Sequence, residues 1–434
     1  MDETPNWRML SEWPKKAVGN LKNLRGAGVK GLVENILSLT VLQAATYLLP
    51  LITLPYLVRV LGADKFGLVA FAQALMQYFI IVTDYGFNLS ATRDIAVNRD
   101  DMRKVSQIFS TVMLVRLTLM MAGFGLLYLL VLTIGRFAAD PLIFLVSYGL
   151  VVGNVLFPVW FFQGMEKMKY STVMTLIART IFVVLIFVFI RTESDYILVP
   201  LLNSLGLVVA GVISLWMAVK KFHVALRWPG WAIIGKQFRS SFQFFFATLS
   251  SSVSSSFNTL ILGFLTSNQV VGYYAAAEKL FIAMRAAFYP FVQALYPYMS
   301  SRRNVYLFKK IFYFALGGAI VLGTGVFVFS MPITNLVFGS GFEASAGILR
   351  LFALIVPIVA ASLLLSYPLL AALGHEKYAN FSIAVGSVVH LILIALIIPV
   401  ISMKLVVLAT MVTQTVILTI RIYGVQKHKL WSTG

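Results

Sequence analysis

A chain of 434 residues that is 59% hydrophobic and only 12% charged, with a mean hydropathy of +0.88, cannot be an ordinary soluble protein, which carries about 25% charged residues. The absence of cysteine excludes disulfide frameworks, thiolate nucleophiles and sulfur-ligated zinc. The formal charge of +19 does not indicate nucleic acid, which needs a folded basic face or aromatic platform, because the basic residues punctuate alternate loops.

The first thirty residues are polar and basic, with Arg8, Lys15, Lys16, Lys22, Arg25 and Lys30, and lack the h-region and cleavage site of a signal peptide. They read as a retained segment. Trp7, Leu10, Trp13, Val18, Leu21 and Leu24 suit a helix lying on an anionic leaflet, and a disordered tail is the alternative. A spanning helix needs roughly 20 apolar residues. Twelve stretches meet that need, over about 35–59, 66–88, 108–134, 142–163, 171–190, 196–219, 242–265, 270–299, 309–330, 344–371, 378–400 and 403–423.

The chain thus divides into a basic N-terminal segment (1–34), a first lobe of six helices (35–219), a linker (220–241), a second lobe (242–423) and a tail (424–434). Loops on one side hold Arg93, Arg99, Arg103, Lys104, Lys167, Lys169, Lys220, Lys221, Arg302 and Arg303. The other side offers little beyond Lys65, Arg136, Arg191 and Lys404. Basic residues collect in cytoplasmic loops, so both termini are expected in the cytoplasm.

The stretch Gly67-Leu68-Val69-Ala70-Phe71-Ala72-Gln73-Ala74-Leu75 aligns without gaps to Gly272-Tyr273-Tyr274-Ala275-Ala276-Ala277-Glu278-Lys279-Leu280. Each lies in the second helix of its half. A duplicated six-helix unit places two halves in the same orientation about an axis along the membrane normal, with the substrate path between them and Gln73 opposite the position of Glu278.

Arg116, Arg179, Lys279 and Arg285 sit inside apolar runs whose acids are few. A basic side chain near the bilayer centre costs about 2.5–3.5 kcal/mol on insertion scales, so such residues face a cavity or a partner, and the excess of bases points to an anionic cargo. Arg116 and Arg179 have snorkelling as the alternative. Arg59 and Arg350 lie nearer the outer ends, where interfacial roles compete. Glu278 and Arg285 share a helix face, so a structural ion pair is the rival to headgroup binding. Glu278 and Asp84 are the candidates for a coupling ion, H+ or Na+, and no other cofactor is expected.

The helix opening the second half carries Ser250, Ser251, Ser252, Ser254, Ser255, Ser256, Asn258 and Thr259 and is expected to line a polar cavity. Its counterpart carries Asn35, Ser38, Thr40, Gln43, Thr46 and Tyr47, then Pro50 and Pro55, where proline is expected to bend the helix. Close helix packing is the alternative use of small hydroxyl residues. His390, alone in an apolar run, reads as a packed core residue. No metal cluster, acid/base pair or phosphate loop emerges.

The chain resembles the bacterial lipid-linked oligosaccharide flippases of O-antigen and related polysaccharides, within the multidrug/oligosaccharidyl-lipid/polysaccharide exporter superfamily. The resemblance rests on Pro55-Tyr56-Leu57-Val58-Arg59-Val60-Leu61-Gly62 before Phe66-Gly67, on Asp84-Tyr85-Gly86-Phe87-Asn88 before Ala91-Thr92-Arg93-Asp94-Ile95-Ala96, and on Trp160-Phe161-Phe162-Gln163-Gly164-Met165-Glu166-Lys167-Met168. It implies an all-α polytopic protein of the bacterial inner membrane, with two pseudo-symmetric six-helix lobes around a central cavity. It also implies movement of an undecaprenyl-pyrophosphate-linked oligosaccharide to the periplasmic leaflet by alternating access. Membrane lipids, a polysaccharide polymerase and a chain-length regulator are the implied partners, with the monomer as working unit. Lys279, Arg285, Arg116, Arg179 and Arg59 are the candidates for the headgroup, and Gln43, Gln73, Ser251, Ser255 and Asn258 for the cavity lining. A multidrug exporter and a membrane-embedded polymerase or ligase are the alternatives.

Overall fold

The structure, a computed structural model, describes the backbone of residues 27–253 and 256–431, with side chains from residue 51 on except at residues 251 and 253. The surface helix expected around Trp7 and Trp13, and the side chains of Gln43, Ser251 and Ser255, lie outside the described residues. Every regular element described is helical.

Among the described residues, nine helical stretches are long and apolar enough to cross a membrane. The first, Leu51–Asn98, contains a sharp break that separates the first two expected spans. The helices Trp231–Val253 with Phe257–Leu265, and Asn268–Ala286 with Tyr289–Arg302, supply the two remaining spans. Their serines, glutamate and basic residues lower their hydropathy. All twelve expected spans therefore have helical counterparts.

The breaks have local causes. The long helix Ala27–Asp84 continues through Pro50 and Pro55, where proline is expected to bend it, and leaves helical geometry at Gly62 instead, with φ 63° and ψ 177°. That combination is essentially restricted to glycine. The backbone thus turns at a residue without Cβ. The span 141–164 breaks at Phe157–Pro158, as the residue before proline is pushed towards extended geometry. The helix Glu343–Leu364 passes into a wide turn, Leu365–Ala371, with Ser366 non-helical just before Pro368.

Burial separates inner from outer helices. The most apolar windows of 51–98 and 343–371 are 72% and 67% buried, whereas those of 168–189, 305–328 and 376–400 are each 22% buried. Phe314, Val321 and Leu396 are correspondingly exposed and face outward, where lipid would replace water. One large apolar core joins both halves, running from Leu57 and Phe71 to Tyr274, Phe281 and Phe352. A second, built on Phe87, Phe109, Trp160 and Phe162, lies mainly in the first half and takes in Val224 of the linker.

The two halves cross at the repeated motif. A Cβ on Gly67 would stand 1.8 Å from the Asn268 carbonyl oxygen and 2.6 Å from the Gly272 nitrogen; one on Gly272 would stand 2.0 Å from the Ala63 carbonyl oxygen. Ala63 and Asn268 are themselves equivalent in the repeat alignment. The contact is therefore reciprocal, as an axis between the two glycines requires. Small-residue crossings of this kind let helix backbones approach closely.

Around this crossing the sparsely charged loops interlock. Arg136 donates from Nε to the Gly263 carbonyl at 2.8 Å and from Nη2 to Asn268 Oδ1 at 2.6 Å. From the other half, the carbonyl of Leu336 accepts a hydrogen bond from Arg59 Nη2. These bonds tie the two halves together at this end. At the basic-loop end, Ser90 and Ser241 hydroxyls meet at 2.7 Å and Gln237 donates to Asp94 at 3.1 Å, joining the first half to the helix Trp231–Val253, which starts within the expected linker and runs on into the second half.

The tail beyond Lys427 folds back over the second half. The His428 and His375 rings stack at 3.9 Å, and Trp431 meets Phe308, Phe312 and Tyr313 edge-on. Burial, and then the neighbouring His428, pull the His375 pKa below the ordinary histidine value, against an opposing pull from Glu376. A depressed folded-state pKa means that the docked tail favours neutral His375; the resulting stabilisation is present above the ordinary histidine range and is lost as pH falls. Proteolysis after Lys427 and Lys429 is expected to quicken as pH drops from roughly 8 to 5.5. His375→Gln should flatten that dependence, and an unchanged profile in the variant would refute the assignment.

Candidate functional site

A cavity of about 450 Å³ lies between the halves, behind the glycine crossing. Its first-half wall comes from both arms of the long helix and from the helices Met168–Phe189 and Leu198–Lys220. The facing wall comes from Phe257–Leu265, with Ser256 before it, and Asn268–Ala286. Leu54, Leu57, Leu61, Phe66 and Val69 make much of it apolar, and the polar groups that enter it are few: Gln73, Gln77, Arg179, Asn203, Glu278 and Lys279, with the hydroxyls of Thr53, Ser256 and Thr259.

The two cations come from opposite halves. Among the described residues, neither Arg179 nor Lys279 has a carboxylate within ion-pair distance. The Nε of Arg179 is buried without a hydrogen-bond partner. Glu278 is instead occupied by its own half, accepting from Thr259 Oγ1 at 2.9 Å and from Tyr274 Oη at 3.2 Å. No ion pair joins it to Arg285. Arg179 and Lys279 are the cations, and Glu278 the carboxylate, among the described residues that line this cavity.

Gln73 and Glu278 hold equivalent positions in the repeat and both line this space. The other candidates lie elsewhere. Arg116 is buried in the first half and does not snorkel; its Nη2 donates to Asn154 Oδ1 at 2.8 Å and to the Asn154 carbonyl at 3.1 Å, and stands 3.8 Å from Asp84 Oδ1. Arg59 is bonded to the Leu336 carbonyl of the other half, away from the cavity. The guanidinium of Arg285 lies 5.9 Å from the Tyr289 ring centroid, outside the cavity lining. Arg350 is bonded to Ser330 at 2.6 Å. Asn258 is buried among Thr410 and His390.

Sequence reasoning passed over Gln77, Asn203 and Arg421. The first two are ordinary amides whose direction only the fold reveals. Arg421, by contrast, lies inside the last expected span, so the rule that singled out Arg116 applies to it equally. It is buried and fully engaged, donating to Ser382 Oγ at 2.9 Å and to the Ser362 carbonyl at 2.7 Å, which makes it a tie between helices of the second half.

Residues 32–303 match the family described as polysaccharide biosynthesis protein. The chain belongs to this family. Family members named "Putative O-antigen transporter" include a protein of Escherichia coli strain K12, 34% identical over 285 residues that cover 64% of this chain and 69% of the relative. Another, of Shigella dysenteriae, is 28% identical over 363 residues covering 83% and 91%. The fold is shared with the lipid II flippase MurJ in an inward closed conformation, at a TM-score of 0.72 and 14% identity, over 91% of this chain and 87% of that one. It is shared also with an inward-facing multidrug resistance MATE family transporter of the MOP superfamily, at a TM-score of 0.66 and 15% identity, over 92% and 99%. The protein is thus a multi-pass membrane protein of the polysaccharide biosynthesis family, two-lobed and all-helical in its described residues, and is a transporter rather than an enzyme.

Proposed function

We propose that the protein flips an undecaprenyl-pyrophosphate-linked oligosaccharide from the cytoplasmic to the periplasmic leaflet, with its basic loops and both termini in the cytoplasm. The observation that carries this reading is the convergence of Arg179 and Lys279, from opposite halves, on one inter-lobe cavity whose acid is already engaged. Guanidinium and ammonium groups hold phosphate oxygens by charge-assisted hydrogen bonds. A ligand shared between the halves would favour the state in which both reach it.

The cavity has the volume of a small-molecule pocket, enough for the phosphates and the nearest sugar. The remaining sugars require the halves to part, and the lipid tail stays in the bilayer between them. Opening at the basic-loop end would break the Ser90–Ser241 and Gln237–Asp94 contacts. Opening at the other end would break those of Arg136 and Arg59. Alternating access is the exchange of one set for the other. Glu278 is the candidate for a coupling H+ or Na+, since Asp84 is paired with Arg116.

The test is translocation of a fluorescent undecaprenyl-pyrophosphate oligosaccharide in proteoliposomes. One charged hydrogen bond is worth about 1.5–3 kcal/mol, so Lys279→Ala and Arg179→Ala are each expected to slow transfer at least ~10-fold, and the pair at least ~100-fold. Wild-type transfer by the double variant would refute the headgroup assignment. No transfer by correctly inserted wild type would refute the substrate.

A further inference from the structure

His390 is not the isolated core residue its sequence context implies. It is buried on the helix Glu376–Ile397, with Nε2 2.8 Å from Asn258 Oδ1 and Nδ1 3.0 Å from Thr413 Oγ1. The polarity of this network can be worked out from its neighbours. Asn258 Nδ2 donates to Thr410 Oγ1 at 2.9 Å, and the Thr410 hydroxyl donates onward to the Val406 carbonyl at 3.0 Å. Tyr274, whose hydroxyl donates to Glu278 at 3.2 Å, is the neighbour through which Asn258 acts on the cavity wall. With Nδ2 fixed as the donor to Thr410, Oδ1 is left as an acceptor. The Nε2 of His390 must therefore carry a proton.

The Nδ1 side is different. Thr413 Oγ1 has one proton and two neighbours able to take it, His390 Nδ1 at 3.0 Å and the Ala409 carbonyl at 2.8 Å. With the hydroxyl turned to Nδ1, the ring is neutral and satisfied. Turned to Ala409, the hydroxyl offers its lone pair to an Nδ1 proton, and the ring is a satisfied imidazolium. One hydroxyl rotation serves both protonation states. A merely packed histidine needs no such arrangement, since a buried polar group is satisfied by one fixed partner.

We propose that His390 is a reversible proton-binding site of the second lobe, electrostatically linked to the cavity carboxylate Glu278 through Asn258 and Tyr274. The proton comes from bulk water and is held on Nδ1 while the Thr413 hydroxyl turns to Ala409; on release the hydroxyl turns back. No proton passes through the amide. The link is the aligned set of dipoles from the imidazole to Glu278, in which each bond polarises the next. Positive charge on His390 favours the ionised carboxylate, and an ionised carboxylate in turn favours the proton on His390.

The ionisable groups around the ring are few. From Phe257–Leu265 and Asn268–Ala286 come Asn258 and, behind it, Tyr274 and Glu278. From Met403–Lys427 come the hydroxyls of Thr410 and Thr413, while the cation Arg421 on that helix is bonded to Ser362 and Ser382. The helix Trp231–Val253 presents the Ser250 carbonyl, which accepts from Ser387 one turn away; its basic residues, Lys236 and Arg239, lie in its first half. The network ties four helices of one lobe to the wall of the cavity. Protonation at His390 would therefore alter the charge that a bound anion meets.

The protonation claim stands apart from the transport reading; only its consequence for cargo rests on that reading. The test is nitrogen-15 NMR of histidine-labelled protein in nanodiscs across roughly pH 4 to 9, with His390 assigned by His390→Asn among the four histidines. The expected spectrum shows the Nε2–H tautomer at high pH and imidazolium at low pH. Thr413→Val should abolish the imidazolium over that range, and Glu278→Gln should weaken proton binding several-fold. An Nδ1–H tautomer, a ring that never protonates, or variants matching the wild type would overturn the proposal. If the NMR result holds but His390→Asn transports normally under a pH gradient, the proton site stands and its part in transport falls.

Discussion

Alanine in place of Gly272, or of Gly67, is expected to separate the two halves at the sparsely charged end. The added Cβ would meet a backbone carbonyl oxygen at 2.0 Å in one case and 1.8 Å in the other, and neither obstacle is a side chain that can rotate away. Overpacking a core that can adjust costs about 1–3 kcal/mol. Here the helices themselves must shift, so the cost falls at or above the upper end. The absence of native cysteine gives a direct reading: thiols introduced at Arg136 and Asn268, whose side chains meet at 2.6 Å, can be bridged by a short bifunctional reagent. Gly272→Ala should reduce bridging and lower the Tm by several degrees. Wild-type bridging and an unchanged Tm would mean that the crossing does not hold this end shut.

Arg116→Leu is expected to remove most folded protein from the membrane. The substitution leaves Asp84, which is buried beside Arg116, without its cation. Breaking a buried pair from one side costs about 3–5 kcal/mol, a large share of a typical stability. The measurement is the monodisperse fraction after detergent extraction. Asp84→Asn added to Arg116→Leu should restore much of that fraction, because no buried charge then remains. Equal loss in the single and double variants would show that Arg116 acts through packing and its bonds to Asn154 instead. Because both residues stabilise the first half, loss of transport in either single variant is expected through loss of protein.

The twelve spans were legible because a spanning segment must be long and apolar whatever its neighbours are. The repeat was legible for a related reason: Gly67 and Gly272 mark the same close approach in both halves, and few residues can serve there. Of the candidate groups, Arg179, Lys279, Gln73 and Glu278 come together on one wall or another of the cavity. Arg116, Arg285, Arg59 and Asn258 do not, since apolar context reports depth but not direction around a helix. A buried arginine looks the same in sequence whether it lines a cavity, as Arg179 does, or is consumed by an internal partner, as Arg116 is by Asn154 and Asp84. The bend expected at Pro50 and Pro55 failed on similar grounds. A neighbouring glycine at Gly62 offered a sharper turn than proline's single missing hydrogen bond. His390 seemed solitary because its partners, Asn258 and Thr413, lie 132 and 23 residues away.

The reciprocal contact at Gly67 and Gly272 also bears on ancestry. Each glycine touches the other half at the position equivalent to its own neighbourhood, which is the isologous geometry of a two-fold homodimer. A half-length chain of six helices, paired with a second copy in parallel, would have made this interface with identical surfaces on both sides. Joining the copies into one polypeptide released each from that identity. It allowed an amide at Gln73 to face a carboxylate at the twin position Glu278, and a lysine, Lys279, to stand where the first half has Ala74. The charge asymmetry of the cavity is thus a freedom that a true dimer, obliged to repeat every side chain, could not have had.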